Sequence, residues 1–205
     1  MLTASSVEDI RRKAEERRST LGFGLSAPIG AKAFNCLDHM KILTIRFPVD
    51  DQNFDAFIGR RSDQDVVFIN TALPKGKQHF AAAHELYHAW FDRDALNSWN
   101  TICEIEDSGG STAREMLANR FAAEFLAPRW GIKMYCDSLP RHFDLTDAIV
   151  LLSDYYEVPV KTIILRLEEE AYITKKDKEE FLLDSAVAAY DERRKELGLH
   201  ATMEE

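Results

Sequence analysis

Nine consecutive residues, Phe80-Ala81-Ala82-Ala83-His84-Glu85-Leu86-Tyr87-His88, constrain this chain more than any other stretch. The alanine triplet is strongly helix-forming, and Phe80, Ala83, Tyr87 and Phe91 can share a buried side with the histidines, so the segment is expected to be helical. In a helix, residues four apart lie on one face, about 6 Å apart along the axis. His84 and His88 can therefore reach one tetrahedral metal ion. Glu85 is turned about 100° from His84, where it can act on a metal-bound water without being a ligand, as a general base must. Two histidines placed by accident on an ordinary amphipathic helix are the competing reading. Three such fixed letters arise by chance in roughly one chain in a hundred of this length, which makes that reading weaker.

A hydrolytic site of this kind needs a third protein ligand and an open fourth position. Glu115 is the best candidate: it lies on the next expected helix, 27 residues beyond His88, which leaves room for a loop and an antiparallel return. Without the upstream motif, Glu115 would read as a solvated helix carboxylate. Asn119 shares its face four residues on, and an amide there can fix the ring of a liganding histidine. Glu124, Glu104, Glu106, Asp92 and His39 compete for the ligand position. Glu124 is the serious rival, but nine residues along a helix turn it about 180° from Glu115, so the two carboxylates cannot easily serve one site.

The rest of the chain frames this pair of helices. Ser5-x-x-Glu8 has the pattern of a capping box, predicting a helix from there to Leu21, before Gly22 and Gly24. A second helix is expected from Ser26 to His39, with Pro28 in its first turn. Ile42 to Val49, Phe54 to Arg60 and Asp65 to Asn70 read as three strands of a small antiparallel sheet. Helices are then expected over 77–92 and 112–127, the latter stopping at Pro128, with weaker ones over 130–138, 145–156, 159–170 and 175–196. Residues 93–111, with Ser108-Gly109-Gly110-Ser111, read as a long loop that borders the site and covers it. The expected class is α+β, a mostly helical zincin-like domain whose small three-stranded sheet precedes the active-site helix. Its expected organisation is an N-terminal helical extension over 1–24, the core over 25–138 and a C-terminal helical subdomain over 139–205.

Bulk properties narrow the function classes. With 26 basic and 35 acidic side chains the formal net charge is −9, which disfavours nucleic acid and anionic membranes as direct partners. Cys36, Cys103 and Cys136 are odd in number and lack C-x-x-C spacing, so they read as buried free thiols. No apolar leader follows the first methionine and no stretch is long enough to span a membrane, which points to a reducing cytoplasm.

The two motifs together carry a resemblance. His84-Glu85-Leu86-Tyr87-His88, followed by Glu115-Met116-Leu117-Ala118-Asn119-Arg120-Phe121-Ala122-Ala123-Glu124-Phe125-Leu126-Ala127-Pro128, resembles the ImmA/IrrE family of metallo-endopeptidases. In that family H-E-L-x-H is followed by E-x-x-A-N-x-F-A-A-x-x-L-x-P, and the first Glu of the second motif is the third ligand. Val66 to Asn70 resembles the strand that ends in Asn before the active-site helix. Tyr155-Tyr156-Glu157-Val158-Pro159-Val160 and Leu165-Arg166-Leu167 resemble the helical region after it, so about residues 25–170 are covered. Tyr87 stands where many members have Gly, which would narrow the cleft, and Ala81-Ala82-Ala83 stands for the usual Thr-Leu-Ala.

The resemblance implies a zinc endopeptidase; by ligand chemistry, manganese or iron also suits a site of two histidines and one glutamate. It implies cleavage of a helix-turn-helix repressor to relieve transcriptional repression, under control of an activating partner protein. Residues 1–40 are too short for a DNA-binding domain of their own and lack a basic recognition helix, so the chain reads as freestanding. The opposed reading is a non-catalytic regulatory or toxin-antitoxin partner with a structural metal, and a third is a hydrolase of non-peptide bonds. Closed structural sites fill four positions with Cys or His, whereas three ligands are evident here. For the oxyanion, Tyr87, His79, His142, Tyr155 and Tyr156 are all conceivable donors, each more often a packing residue.

Overall fold

The computed structural model describes residues 2–51, 53–61, 63–93, 102–105, 113–140 and 143–199. Among them the order is α1 (Ala4–Thr20), α2 (Lys32–His39), β1 (Leu43–Phe47), β2 (Phe54–Arg61), β3 (Gln64–Asn70), α3 (Lys75–Phe91), β4 (Ile102–Ile105), α4 (Ala113–Leu126), α5 (Arg129–Ser138), α6 (Leu145–Tyr156), α7 (Val160–Glu169), α8 (Lys175–Phe181) and α9 (Asp184–Glu196). This is the mostly helical α+β arrangement the sequence predicts.

α1 starts earlier than expected because Thr3, not Ser5, is its cap: the Thr3 hydroxyl accepts from the Ser6 N–H. Its stripe of Ile10, Ala14 and Arg18 is buried, and the helix packs on α4. The Arg18 guanidinium donates to the carbonyls of Phe125, Gly24 and Ala27, tying the end of α1 to the end of α4. Burial pushes its pKa down to about 10, so it stays charged at neutral pH.

α2 begins at Lys32 rather than near Ser26. Gly30 adopts φ +46°, outside the right-handed helical region, and a Cβ there would meet Glu157 Oε2 at 2.2 Å. The same Glu157 oxygen accepts from the Ala31 N–H. The 175–196 helix is likewise split: Leu183 is extended and starts α9, while the Tyr190 hydroxyl donates to the Phe181 carbonyl at the end of α8.

The sheet order is β1-β3-β2-β4. β2 and β3 pair antiparallel, but β1 pairs with β3 in parallel, with Ile45 opposite Phe68, so the all-antiparallel expectation fails at β1. β1 and β2 run in opposite directions on either side of β3, and a strand antiparallel to one must be parallel to the other. Asn70, fully buried, stabilises this crossing: its amide donates to the carbonyls of Val49, Asp51 and Phe54, and its oxygen accepts from the N–H groups of Val49 and Ala72. β4 is a fourth strand, from the segment read as a loop, and joins β2 antiparallel. Residues 94–101 and 106–111 of that loop, including Gly109 and Gly110, lie outside the described residues, as does His142.

Ala56, Ile58, Val67 and Ile69 bury one face of the sheet beneath α3. The helix itself is buried on almost every side from Ala81 to Ala89, as expected for an element packed between a sheet and other helices. One hydrophobic core runs from Ile10 of α1 through Ile58, Leu86 and Phe121 to Ile163 of α7 and Tyr190 of α9.

Candidate metal centre

α3 and α4 pack directly against each other, and their contact is lined by Tyr87, Trp90, Phe91, Phe121 and Phe125. This aromatic cluster fixes the rotation of both helices. Tyr87 is buried in it, so it packs between the helices rather than standing exposed in a cleft, and burial pushes its hydroxyl up to about 12.

With the helices so placed, His84, His88 and Glu115 form a group whose donor atoms all lie within 4.8 Å of one another, an arrangement that could hold a metal ion. His84 Nε2 is 3.1 Å from Glu115 Oε2 and 3.1 Å from His88 Nε2, and His88 Nε2 is 3.5 Å from the same carboxylate oxygen. Ligands about 2.0–2.1 Å from a tetrahedral zinc are separated by about 3.3 Å, so these spacings suit such an ion without rearrangement.

The other ring nitrogens set the protonation. His88 Nδ1 lies 2.9 Å from Asp92 Oδ2, and His84 Nδ1 lies 3.0 Å from Asn119 Oδ1. Both oxygens are acceptors, so each ring donates from Nδ1, and in the neutral imidazole the lone pair is left on Nε2, aimed at the group. Glu85, one residue along α3, is buried.

The model of the peptidase M78 family, described as the IrrE N-terminal-like domain, matches residues 37–168. The chain belongs to this family. The IrrE N-terminal-like domain thus takes in the sheet and helices α3 to α7, and supports a metallopeptidase-type function. Among solved structures, the chain is similar to a Mycobacterium tuberculosis transcriptional regulator at 22% identity and a TM-score of 0.53; the likeness covers 78% of this chain and 47% of that one. It spans about half of the regulator's length and shows a shared fold. A comparison with curated proteins gave no match.

The rivals of Glu115 have other partners in the domain. Glu124 takes both Arg166 Nη atoms at 2.8 and 2.9 Å, Arg11 Nε at 3.0 Å and Arg120 Nη2 at 2.7 Å. Asp92, weighed in sequence only as a ligand, supports His88 instead. Its signal was present, since His88 and Asp92 are four apart and so neighbours on a helix. His39 ends α2 and is exposed, while the side chain of Glu104 and all of Glu106 lie outside the described residues. Of the conceivable oxyanion donors, Tyr156 donates to the Ser26 carbonyl, His79 Nδ1 sits 3.1 Å from the Glu157 carbonyl, and Tyr155 is exposed.

Proposed function

We propose that this chain is a zinc-dependent endopeptidase in which His84, His88 and Glu115 hold the metal and Glu85 is the general base. One observation carries the reading: two Nε2 lone pairs and a carboxylate oxygen converge at 3.1–3.5 Å, while both Nδ1 atoms are committed elsewhere. Electron-pair donors so close repel one another unless a cation lies between them. Two imidazoles and one carboxylate are the donor set of a catalytic zinc site with one position open, and manganese or iron(II) suits it also. When bound, the ion supplies Lewis-acid activation of water and of a peptide carbonyl. Glu85 takes the proton from the attacking water and passes it to the leaving amine. Asn119 and Asp92 hold the two rings in the orientation that presents Nε2.

The ImmA/IrrE resemblance supports a helix-turn-helix repressor as substrate, cleaved in the cytoplasm to relieve repression under control of a partner protein. Charge supports the same choice: a DNA-binding repressor carries a basic surface, and this chain carries a net −9. No described helix is long and apolar enough to cross a membrane.

The test is incubation of the zinc-loaded chain with the repressor encoded beside its gene, followed by mass spectrometry of fragments. Glu85→Gln keeps size and hydrogen bonding but cannot accept the proton, so it should keep zinc and lose at least about 10²-fold in cleavage rate. Unimpaired induction of the repressed gene by Glu85→Gln, together with a dead His84→Ala, would instead mean a non-catalytic protein with a structural metal.

A further inference from the structure

β1 is an edge strand whose outer side pairs with no strand among the described residues. Its alternating residues Leu43, Ile45 and Phe47 are 53, 43 and 61% exposed, a row of large apolar side chains on an open backbone edge. Their neighbours Val66 and Phe68 continue the face across β3, where Phe68 stacks on Phe57 at 5.6 Å. On the opposite face, Arg46 lies over the Phe34 ring and reaches Gln78.

The free backbone groups can be assigned. The Phe47 carbonyl accepts from the Thr71 N–H, so by alternation Leu43, Ile45 and Phe47 direct their backbone groups at β3. Thr44 and Arg46 therefore direct theirs outward. The next outward position is Pro48, which has no N–H and ends the ladder.

We propose that β1 pairs antiparallel with β1 of a second copy of this chain, about a twofold axis through Ile45. Thr44 then faces Arg46 of the second copy, and the two residues exchange N–H and C=O in both directions; the symmetric pair does the same. On the apolar face Ile45 meets its own counterpart and Leu43 meets Phe47. The strand Leu-Thr-Ile-Arg-Phe is thus self-complementary, with no like charges directly opposed. The ends fix the direction. Lys41 lies before β1 and Asp50-Asp51 after it, all three exposed, so antiparallel pairing brings each lysine to the other copy's acidic end. Parallel pairing would set like charges together. β1 is covered by α2, whereas α3, which carries His84 and His88, packs over β2 and β3, so the dimer leaves the metal group open.

The experiment is sedimentation equilibrium of the full chain between about 1 µM and about 1 mM, where a short interface of this kind should associate reversibly. The expected result is a monomer–dimer equilibrium that Ile45→Lys weakens at least about 10-fold, because two cations meet on the axis. Lys41→Glu should weaken it too, and adding Asp50→Lys and Asp51→Lys should restore it. Thermal melts check that each variant is folded. Should Ile45→Lys fail to fold, the charge reversals decide alone. A wild-type chain that stays monomeric, one that assembles beyond a dimer, or a dimer indifferent to the folded variants would overturn the proposal.

Discussion

Glu115 and Glu124 lie on the same helix, one among imidazoles and the other among guanidiniums. Around Glu124 the charges are matched: Arg11, Arg120, Arg129 and Arg166 pair with Glu8, Glu124, Glu169 and Glu170, and Arg166 is fully buried among them. A guanidinium is always charged and has no lone pair, so it can satisfy a carboxylate but can do little else. Around Glu115 the partners are imidazole rings, whose Nε2 lone pairs can serve a metal ion together with the carboxylate. The difference teaches that the chemistry of a helix carboxylate is decided by which donors the neighbouring helices bring to it.

The comparison breaks most readily at Glu124. Glu124→Ala leaves Arg166 buried without its bidentate partner and should destabilise the fold by about 3–5 kcal/mol in urea titration, while folded protein keeps its metal. Glu115→Ala should do the reverse, losing metal in elemental analysis yet unfolding within about 1 kcal/mol of the metal-free parent. Metal retained in Glu115→Ala but lost from folded Glu124→Ala would end the assignment.

A smaller effect sharpens the Glu115 side. Asp92→Ala and Asn119→Ala should each weaken zinc binding by about 10–100-fold in competition with a chromophoric chelator, since each frees a ring to rotate. Unchanged affinity in both would show that the rings are held by packing alone.

Acid should report on the Glu124 side. Burial pushes this carboxyl up, but the charges of Arg166, Arg120 and Arg11 outweigh it, so its folded pKa lies below the ordinary carboxylate value. A depressed carboxylate contributes stability that is present above its unfolded pKa and is lost as pH falls through the folded one. The contribution of Glu124, read as the melting difference between the parent and Glu124→Gln, should be constant from neutral pH to about 5 and shrink below about 4. A difference that grew with acid would contradict the sign. Smallest of all, Arg12→Ala removes an exposed guanidinium that, among the described residues, pairs with Asp9 and Glu16 on its own helix, and melting should not change measurably.

Much of the centre was legible in the chain because it is built from helical spacing. His84, Glu85 and His88 lie within five residues, and Glu115 and Asn119 share a face one helical turn apart, so local geometry placed them before any fold was known. The same periodicity located the helices from Lys75 to Glu169 to within a few residues, but it missed the break at Leu183 that divides 175–196 into α8 and α9. Misreadings came where local signals met distant partners. The left-handed Gly30 that delays α2 follows from Glu157, over a hundred residues away, and the β1 direction follows from where β3 inserts.

By itself, then, the sequence determined the class of fold, the helix that carries H-E-x-x-H and the identity of the candidate ligands, because these depend on the period of the backbone and the chemistry of single side chains. Only the tertiary structure decided which carboxylate of α4 meets the imidazoles, that Asp92 supports His88, and that β1 is left as an open edge. Those outcomes depend on the rotation of α3 against α4 and on the order of strands. Both are set by packing between segments far apart in the chain, such as the rings of Tyr87, Phe91 and Phe121, and a helical or strand period carries no information about that.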